Sequence, residues 1–135
     1  AALTDGRLKK FAIANPEHAP YGRRAEEALR HRGLWDAIKG RLVLGENVSQ
    51  AAQFATSGNV QAAIISYAHA RAPKIAALGS FALIPEPWHQ PIRQRMALTK
   101  TAGPAAEAFY AFAQSPAARA IFRAHGFALP NEATQ

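Results

Sequence analysis

Between residues 11 and 84, short apolar runs alternate with helical patterns. The runs are Phe11-Ala12-Ile13-Ala14, Leu42-Val43-Leu44, Ala62-Ala63-Ile64-Ile65 and Phe81-Ala82-Leu83-Ile84. Each is continuous rather than alternating, which predicts strands buried on both faces of a parallel sheet. From Tyr21 to Arg32 the apolar positions Ala25, Ala28 and Leu29 mark one face of a helix, and Gly33 ends it. A second short helical piece is expected around Leu34-Trp35-Asp36. Val48, Ala51, Ala52 and Ala55 fall at helical spacing, and Gly58 stops that helix. The order β-α-β-α-β predicts an α/β unit with right-handed crossovers.

The pattern changes at Pro85-Glu86-Pro87-Trp88, where the prolines predict a stiff, extended connection. One more strand is expected around Arg95 to Thr99, followed by two helices. The first begins at Pro104 and is expected to bury Ala105, Ala108, Phe109 and Phe112. The second begins at Ser115-Pro116, a capping serine before a proline at the first helical position. It is expected to bury Ala117, Ala120 and Ile121 and to end at Gly126. The two helices have apolar faces but no sheet of their own in this chain, so they require a partner surface.

Composition narrows the function classes. The 135 residues suit one ordinary domain, and 49% are hydrophobic, enough for a real core. No apolar run approaches the ~18 residues needed to span a bilayer. The chain starts with polar residues and shows no signal peptide, a segment that a mature secreted protein also lacks. Without cysteine, disulfides, thiolate metal sites and cysteine nucleophiles are excluded. The net charge of +7 raises nucleic-acid binding. The basic residues are scattered, however, with no run longer than two and no interleaved aromatic stripe. A solvated basic surface accounts for them, and no nucleic-acid partner is expected.

Three segments carry candidate chemistry. Asn15-Pro16-Glu17-His18-Ala19-Pro20-Tyr21-Gly22 lies between the first strand and the first helix. Tyr21 and Gly22 place backbone N–H groups in the first helical turn, and Gly22 allows close approach of a ligand. A helix start beyond a parallel strand's C-terminal end favours an anion, through its amides and its dipole. Gly45-Glu46-Asn47-Val48-Ser49-Gln50 repeats the arrangement, with Asn47 and Gln50 in a capping-box pattern. Ser66-Tyr67, at the end of the third run, adds two hydroxyls at the same sheet edge. Each segment alone also reads as an ordinary loop or cap; two such starts from neighbouring strands can converge on one anion, which a neutral hydroxyl donor also suits. His18, His31, His69, His89 and His125 have no metal-type spacing, so no metal site is expected. His18 beside Glu17 is a poor acid/base pair, and Glu26-Glu27 reads as a solvated helix face. No GxSxG, P-loop or GxGxxG motif is present, so the chain is not expected to be an enzyme, nor to need a cofactor.

At these residues the chain resembles the molybdate-binding proteins of ABC importers. The resemblance rests on Ala14 to Gly22, on Ala25, Glu27, Ala28 and Leu29, and on Gly33-Leu34-Trp35 and Leu42-Val43. It continues through Gly45 to Val48, Gln53-Phe54, Gly58-Asn59, Pro85 and His125-Gly126-Phe127. It implies a two-lobed, type II periplasmic binding protein fold that closes on molybdate or tungstate and delivers it to a membrane permease. Members hold the anion by backbone N–H groups and hydroxyls. Carried over, the backbone donors fall on Tyr21 and Val48, and a hydroxyl that some members take from tyrosine falls at Ser66, with Tyr67 beside it. By this resemblance residues 1–92 are the second lobe and residues 93–135 a returning segment of the first, whose amino-terminal half is absent. The chain is then a fragment or a truncated product, periplasmic in location, whose uncovered carboxy-terminal helices are expected to self-associate, dock on a neighbouring molecule or lie loosely against the lobe. The alternative is the ligand-sensing lobe of a transcription regulator, or a receptor for another small anion.

Overall fold

A computed structural model describes residues 7–130 and divides at Ile92/Arg93 into two compact units. In the first, three parallel strands lie in the order β2-β1-β3: β1 is Phe11–Ala14, β2 Leu42–Gly45 and β3 Ala62–Ala63. Phe11 pairs with Leu42 on one side and with Ala62 on the other. β1 is therefore central, and all four of its residues are buried. The helices between the strands are α1 (Pro20–His31), α2 (Trp35–Ile38) and α3 (Val48–Thr56). The chain steps from β1 out to β2 and then back past β1 to β3. Right-handed crossovers on such a path place α1 and α3 on opposite faces of the sheet.

The side chains divide accordingly. Phe11 and Ile13 pack with Ala25 and Leu29 of α1 and Ile38 of α2, flanked by Leu8, Leu34, Trp35 and Leu42. Burying each large side chain contributes about 1.5–3 kcal/mol. The intervening Ala12 and Ala14 face the other side of the sheet, where α3 buries Ala51 and Ala52. With alanine on both surfaces, α3 can lie close to the strands. The stop expected at Gly33 is present. Gly33 has φ +64°, its N–H donates to the Arg30 carbonyl and the Leu34 N–H donates to that of Leu29, which forms a Schellman motif.

Two expected strands do not form. Phe81–Ile84 is irregular and largely exposed, as is Arg95–Thr99. A strand needs a ladder, and no described residue offers these segments one. The third strand is also shorter than expected, although the Ile64 N–H still donates to the Ala12 carbonyl at 3.0 Å. In its place come two unforeseen short helices, α4 (Tyr67–Arg71) and α5 (Pro73–Ala76). Among the described residues, no helix is long and apolar enough to cross a membrane.

The connection at Pro85 is anchored to α1. Trp88 stacks on His31 with ring centroids 5.8 Å apart, and the Arg32 guanidinium lies 4.9 Å from the Trp88 ring centre. Glu27 accepts the Gln90 N–H at 2.8 Å and pairs with Arg24. Glu27 is thus a clamp between elements, not only part of a solvated face. The Gln90 N–H holds its carboxyl below the ordinary value of 4.5; burial opposes this, and the hydrogen bond and charge of Arg24 add to it.

The second unit contains α6 (Pro104–Ala113) and α7 (Pro116–Ala124). Ser115 caps α7 by accepting the Ala118 N–H at 3.2 Å. Ala113 and Ala118 are buried. The faces expected to be buried are not: Phe109 is 69% exposed, Phe112 50% and Ile121 53%. Ala105, Ala108, Ala117 and Ala120 are exposed as well. Two short helices can cover only a narrow stripe of each other.

The Glu27 clamp yields a prediction. A carboxylate whose folded pKa is depressed adds stability above its unfolded pKa, and that stability disappears as pH falls through the folded value. Wild type should therefore exceed Glu27→Gln in denaturation midpoint at pH 7, with the gap closing as pH drops below about 4.5. A gap that stays constant from pH 7 to pH 3 would contradict the clamp.

Candidate functional site

The loops following β1, β2 and β3 all leave the C-terminal edge of the parallel sheet. The chain reverses direction in the strand order between β1 and β3, and open α/β sheets bind ligands at such an edge. The loop after β1 is held by its own backbone. The Asn15 N–H donates to the Gly45 carbonyl at 2.7 Å, and the Ala19 N–H to the Asn15 carbonyl at 2.9 Å. Asn15 Oδ1 accepts the Glu17 N–H, and Arg23 donates to the Pro16 and Glu17 carbonyls. α1 then begins at Pro20 with no side-chain cap, which puts Tyr21 and Gly22 in its first turn. The space left by the missing Gly22 side chain is filled by the strand end: a Cβ there would lie 2.2 Å from the Ala14 carbonyl oxygen.

The second loop turns tightly into α3. Asn47 Oδ1 accepts the Gln50 N–H at 3.0 Å, and Gln50 Oε1 accepts the Glu46 N–H at 2.7 Å. The reciprocal bond of the expected capping box therefore lands one residue before the cap. The Asn47 side chain is occupied in organising the turn. The Val48 and Ser49 amides donate to no other described residue. They open α3 at the end where its dipole is positive. Gly45 has the same function as Gly22, since a Cβ there would meet the Ala51 nitrogen at 2.8 Å. His18 joins the first two loops: its Nε2 lies 3.1 Å from the Glu46 carbonyl oxygen and 3.4 Å from the Glu46 carboxylate. Its partner is Glu46, not its sequence neighbour Glu17.

The third loop places Ser66 at the start of α4, where it is buried. Ser66 Oγ accepts the His69 backbone N–H at 3.2 Å and lies 2.6 Å from the His69 ring Nδ1. The other ring nitrogen, Nε2, lies 3.2 Å from Ser49 Oγ on α3. One imidazole therefore connects the second and third loops. Sequence reading passed over this histidine because it tested only metal spacings; the available signal was a serine followed three residues later by histidine at a helix start. Ser66 and His69 do not form a catalytic pair of the usual kind, since a hydroxyl rather than a carboxylate meets the far nitrogen. Tyr67 lies at the surface, with its ring edge-on to Phe81 at 5.8 Å and 5.4 Å from the Arg71 guanidinium.

Tyr21, Ser66 and Tyr67 also line one cavity of about 550 Å³, together with Ile64, Ile65 and Phe81. Gly22, Asn47 and Val48 do not line it. The cavity runs along the free edge of β3 and is mainly apolar and far larger than a five-atom anion. The Val48 and Ser49 amides at the start of α3 lie outside the lining of this hollow. Among the described residues, no group of three potential metal-ligating side chains occurs.

The seating of α1 can be tested by substitution. Gly22→Ala forces a methyl group onto backbone and should lower unfolding free energy by about 1–3 kcal/mol, the range for overpacking a close contact. Urea denaturation measures it, and an unchanged midpoint would show that α1 is not seated so tightly.

Comparison with known proteins places this geometry in a family. The sequence pattern of the family described as bacterial extracellular solute-binding protein matches residues 1–128. The molybdate-binding protein ModA of Rhodobacter capsulatus is 34% identical over 122 residues, 89% of this chain and 47% of the relative. That of Azotobacter vinelandii is 34% identical over 131 residues, 96% of this chain and 52% of the relative. The solved Azotobacter vinelandii periplasmic molybdate-binding protein superposes with TM-score 0.85 at 32% identity, covering 96% of this chain and 58% of that one. The substrate-binding domain of a putative molybdenum ABC transporter from Clostridium difficile gives TM-score 0.65 at 25% identity, covering 93% of this chain and 55% of that one. The chain thus spans about half the length of the curated relatives it matches. With an α/β parallel sheet, two helix starts and a hydroxyl at one edge, and a match over nearly its whole length, this chain belongs to the bacterial extracellular solute-binding protein family.

Proposed function

We propose that this chain forms one side of a receptor for molybdate or tungstate, which it passes to an ABC permease at the membrane. On this reading residues 1–92 are the second lobe. Residues 93–135 are a segment of the first lobe, whose remaining part covers Phe109, Phe112 and Ile121. The protein works in the periplasm, as the Azotobacter vinelandii relative's name states for that protein. It needs no cofactor and holds its ligand without reacting with it.

The start of α3 carries the proposal. The amides of Val48 and Ser49 are unengaged among the described residues, those of Glu46 and Gln50 are satisfied by the Gln50 and Asn47 side chains, and the helix dipole points the same way. The first turn of α1 supplies Tyr21 and Gly22 from the neighbouring loop, and Ser66 supplies a hydroxyl. Hydrogen bonds to a charged group contribute about 1.5–3 kcal/mol each, and association costs an estimated 4–15 kcal/mol in lost freedom. Donors from this chain alone roughly offset that cost. Closure of a second lobe is what turns the balance toward tight binding.

A shell of neutral donors accepts a fully ionised oxyanion and offers no acceptor for the proton of hydrogen phosphate. Calorimetric titration of the full-length protein should therefore show molybdate and tungstate bound well ahead of phosphate, and ahead of sulfate, which is equally ionised and must be rejected by its smaller size. Tyr21→Phe should leave affinity unchanged, because its part is a backbone N–H. Ser66→Ala should weaken binding by about 1–3 kcal/mol. Equal affinity for sulfate would overturn the ligand assignment. A silent Ser66→Ala beside a costly Tyr67→Phe would move the hydroxyl to Tyr67.

A further inference from the structure

His69 lies between two hydroxyls that come from different loops. A serine hydroxyl has two acceptor lone pairs and one proton to donate. One Ser66 lone pair already takes the His69 backbone N–H at 3.2 Å. The remaining question is the 2.6 Å contact with Nδ1. If Nδ1 is bare, Ser66 donates its only proton into the ring and has none left for a ligand. If Nδ1 carries the ring proton, both lone pairs of Ser66 are filled, and its O–H must point away from the ring.

The far side of the ring is compatible with the second state. Neutral imidazole carries one ring proton. Ser49 Oγ, 3.2 Å from Nε2, can donate to that nitrogen and thereby hold the proton on Nδ1. Ser49 is exposed and its hydroxyl rotates freely; Ser66 is buried, so its hydroxyl has few directions open. The donors then all run one way, from the Ser49 hydroxyl to Nε2 and from Nδ1–H to Ser66 Oγ. Each bond in such a chain polarises the next and strengthens the final donor.

We infer that His69 is a positioning residue that turns the Ser66 hydroxyl outward as a ready donor to the bound oxyanion. The inference rests on the proposed oxyanion-binding function and adds to it the residue that sets the direction of its hydroxyl. His69 itself does not touch the anion. It acts through Ser66, and Ser49 acts through His69. Binding selects one ring tautomer, because only that tautomer leaves the Ser66 proton available.

The test combines nitrogen-15 NMR of histidine-labelled, full-length protein with molybdate titration of variants. In the molybdate-bound wild type, the His69 ring should be protonated at Nδ1. His69→Ala should lower molybdate affinity about tenfold, the loss of roughly one well-aimed bond to a charged ligand. In His69→Asn the amide nitrogen replaces Nδ1, and affinity should stay within about threefold of wild type. His69→Gln reaches only the Nε2 position and should behave like alanine. In a Ser66→Ala background, His69→Ala should cost nothing further, since the two act as one unit. Additive losses, a bound-state ring protonated only at Nε2, or a His69→Ala variant that binds as wild type does would each overturn the role of His69 while leaving the oxyanion reading in place. A wild type that binds no molybdate would overturn both.

Discussion

Two helices start where two strands end, with no room for a methyl group between them. Gly22 brings the first turn of α1 onto the Ala14 carbonyl, and Gly45 brings the first turn of α3 against the end of β2. This close seating is the constraint on which the polar edge depends. It holds the amides of both first turns at the edge of the sheet. Small buried side chains on both elements, Ala12 and Ala14 on β1 and Ala51 and Ala52 on α3, let α3 settle that deeply. The larger side chains, Phe11, Ile13, Leu29 and Ile38, lie on the opposite face and give the sheet its stability.

Around that seating, the loops are tied to one another rather than to the core. Asn15 reaches Gly45, His18 reaches Glu46, and His69 reaches both Ser49 and Ser66. These links make three separate strand ends behave as one surface. Side-chain acceptors are largely used up in the process: Asn47 and Gln50 close the α3 cap, and Asn15 closes its own turn. The Val48 and Ser49 amides remain unengaged among the described residues. On the proposed reading, such donors favour a fully ionised anion over one that carries its own proton.

Much of this was legible in the sequence, for identifiable reasons. Phe11–Ala14 reads as a central strand because nothing polar interrupts it, and α1 and α3 read as helices because alanine and leucine recur at helical spacing up to a glycine stop. The caps at Asn47 and Ser115 were equally visible. Phe81–Ile84 was misread because an apolar run specifies burial, not a hydrogen-bonding neighbour, and no described strand lies beside it. α4 and α5 were missed because five and four residues are too few to show a period. The exposure of Phe109, Phe112 and Ile121 follows from partner surface, which no local pattern encodes. His69 was overlooked at the site because its significance lies in contacts with Ser49 and Ser66, one of them 20 residues away. The contacts of His69 with Ser49 and of His18 with Glu46 are the parts of the candidate site that depend on the folded chain.

The central claim is that first-turn amides at the sheet edge hold the oxyanion. Backbone amide NMR of the full-length protein during molybdate addition tests it most directly. The N–H signals of Val48 and Ser49 on α3 and of Tyr21 on α1 should move farthest within this chain, saturate together, and stay in place when phosphate is added instead. If those three signals stay unmoved while residues around Phe81 and Ile84 respond, the anion sits in the apolar hollow along β3, and the account of the polar edge is wrong.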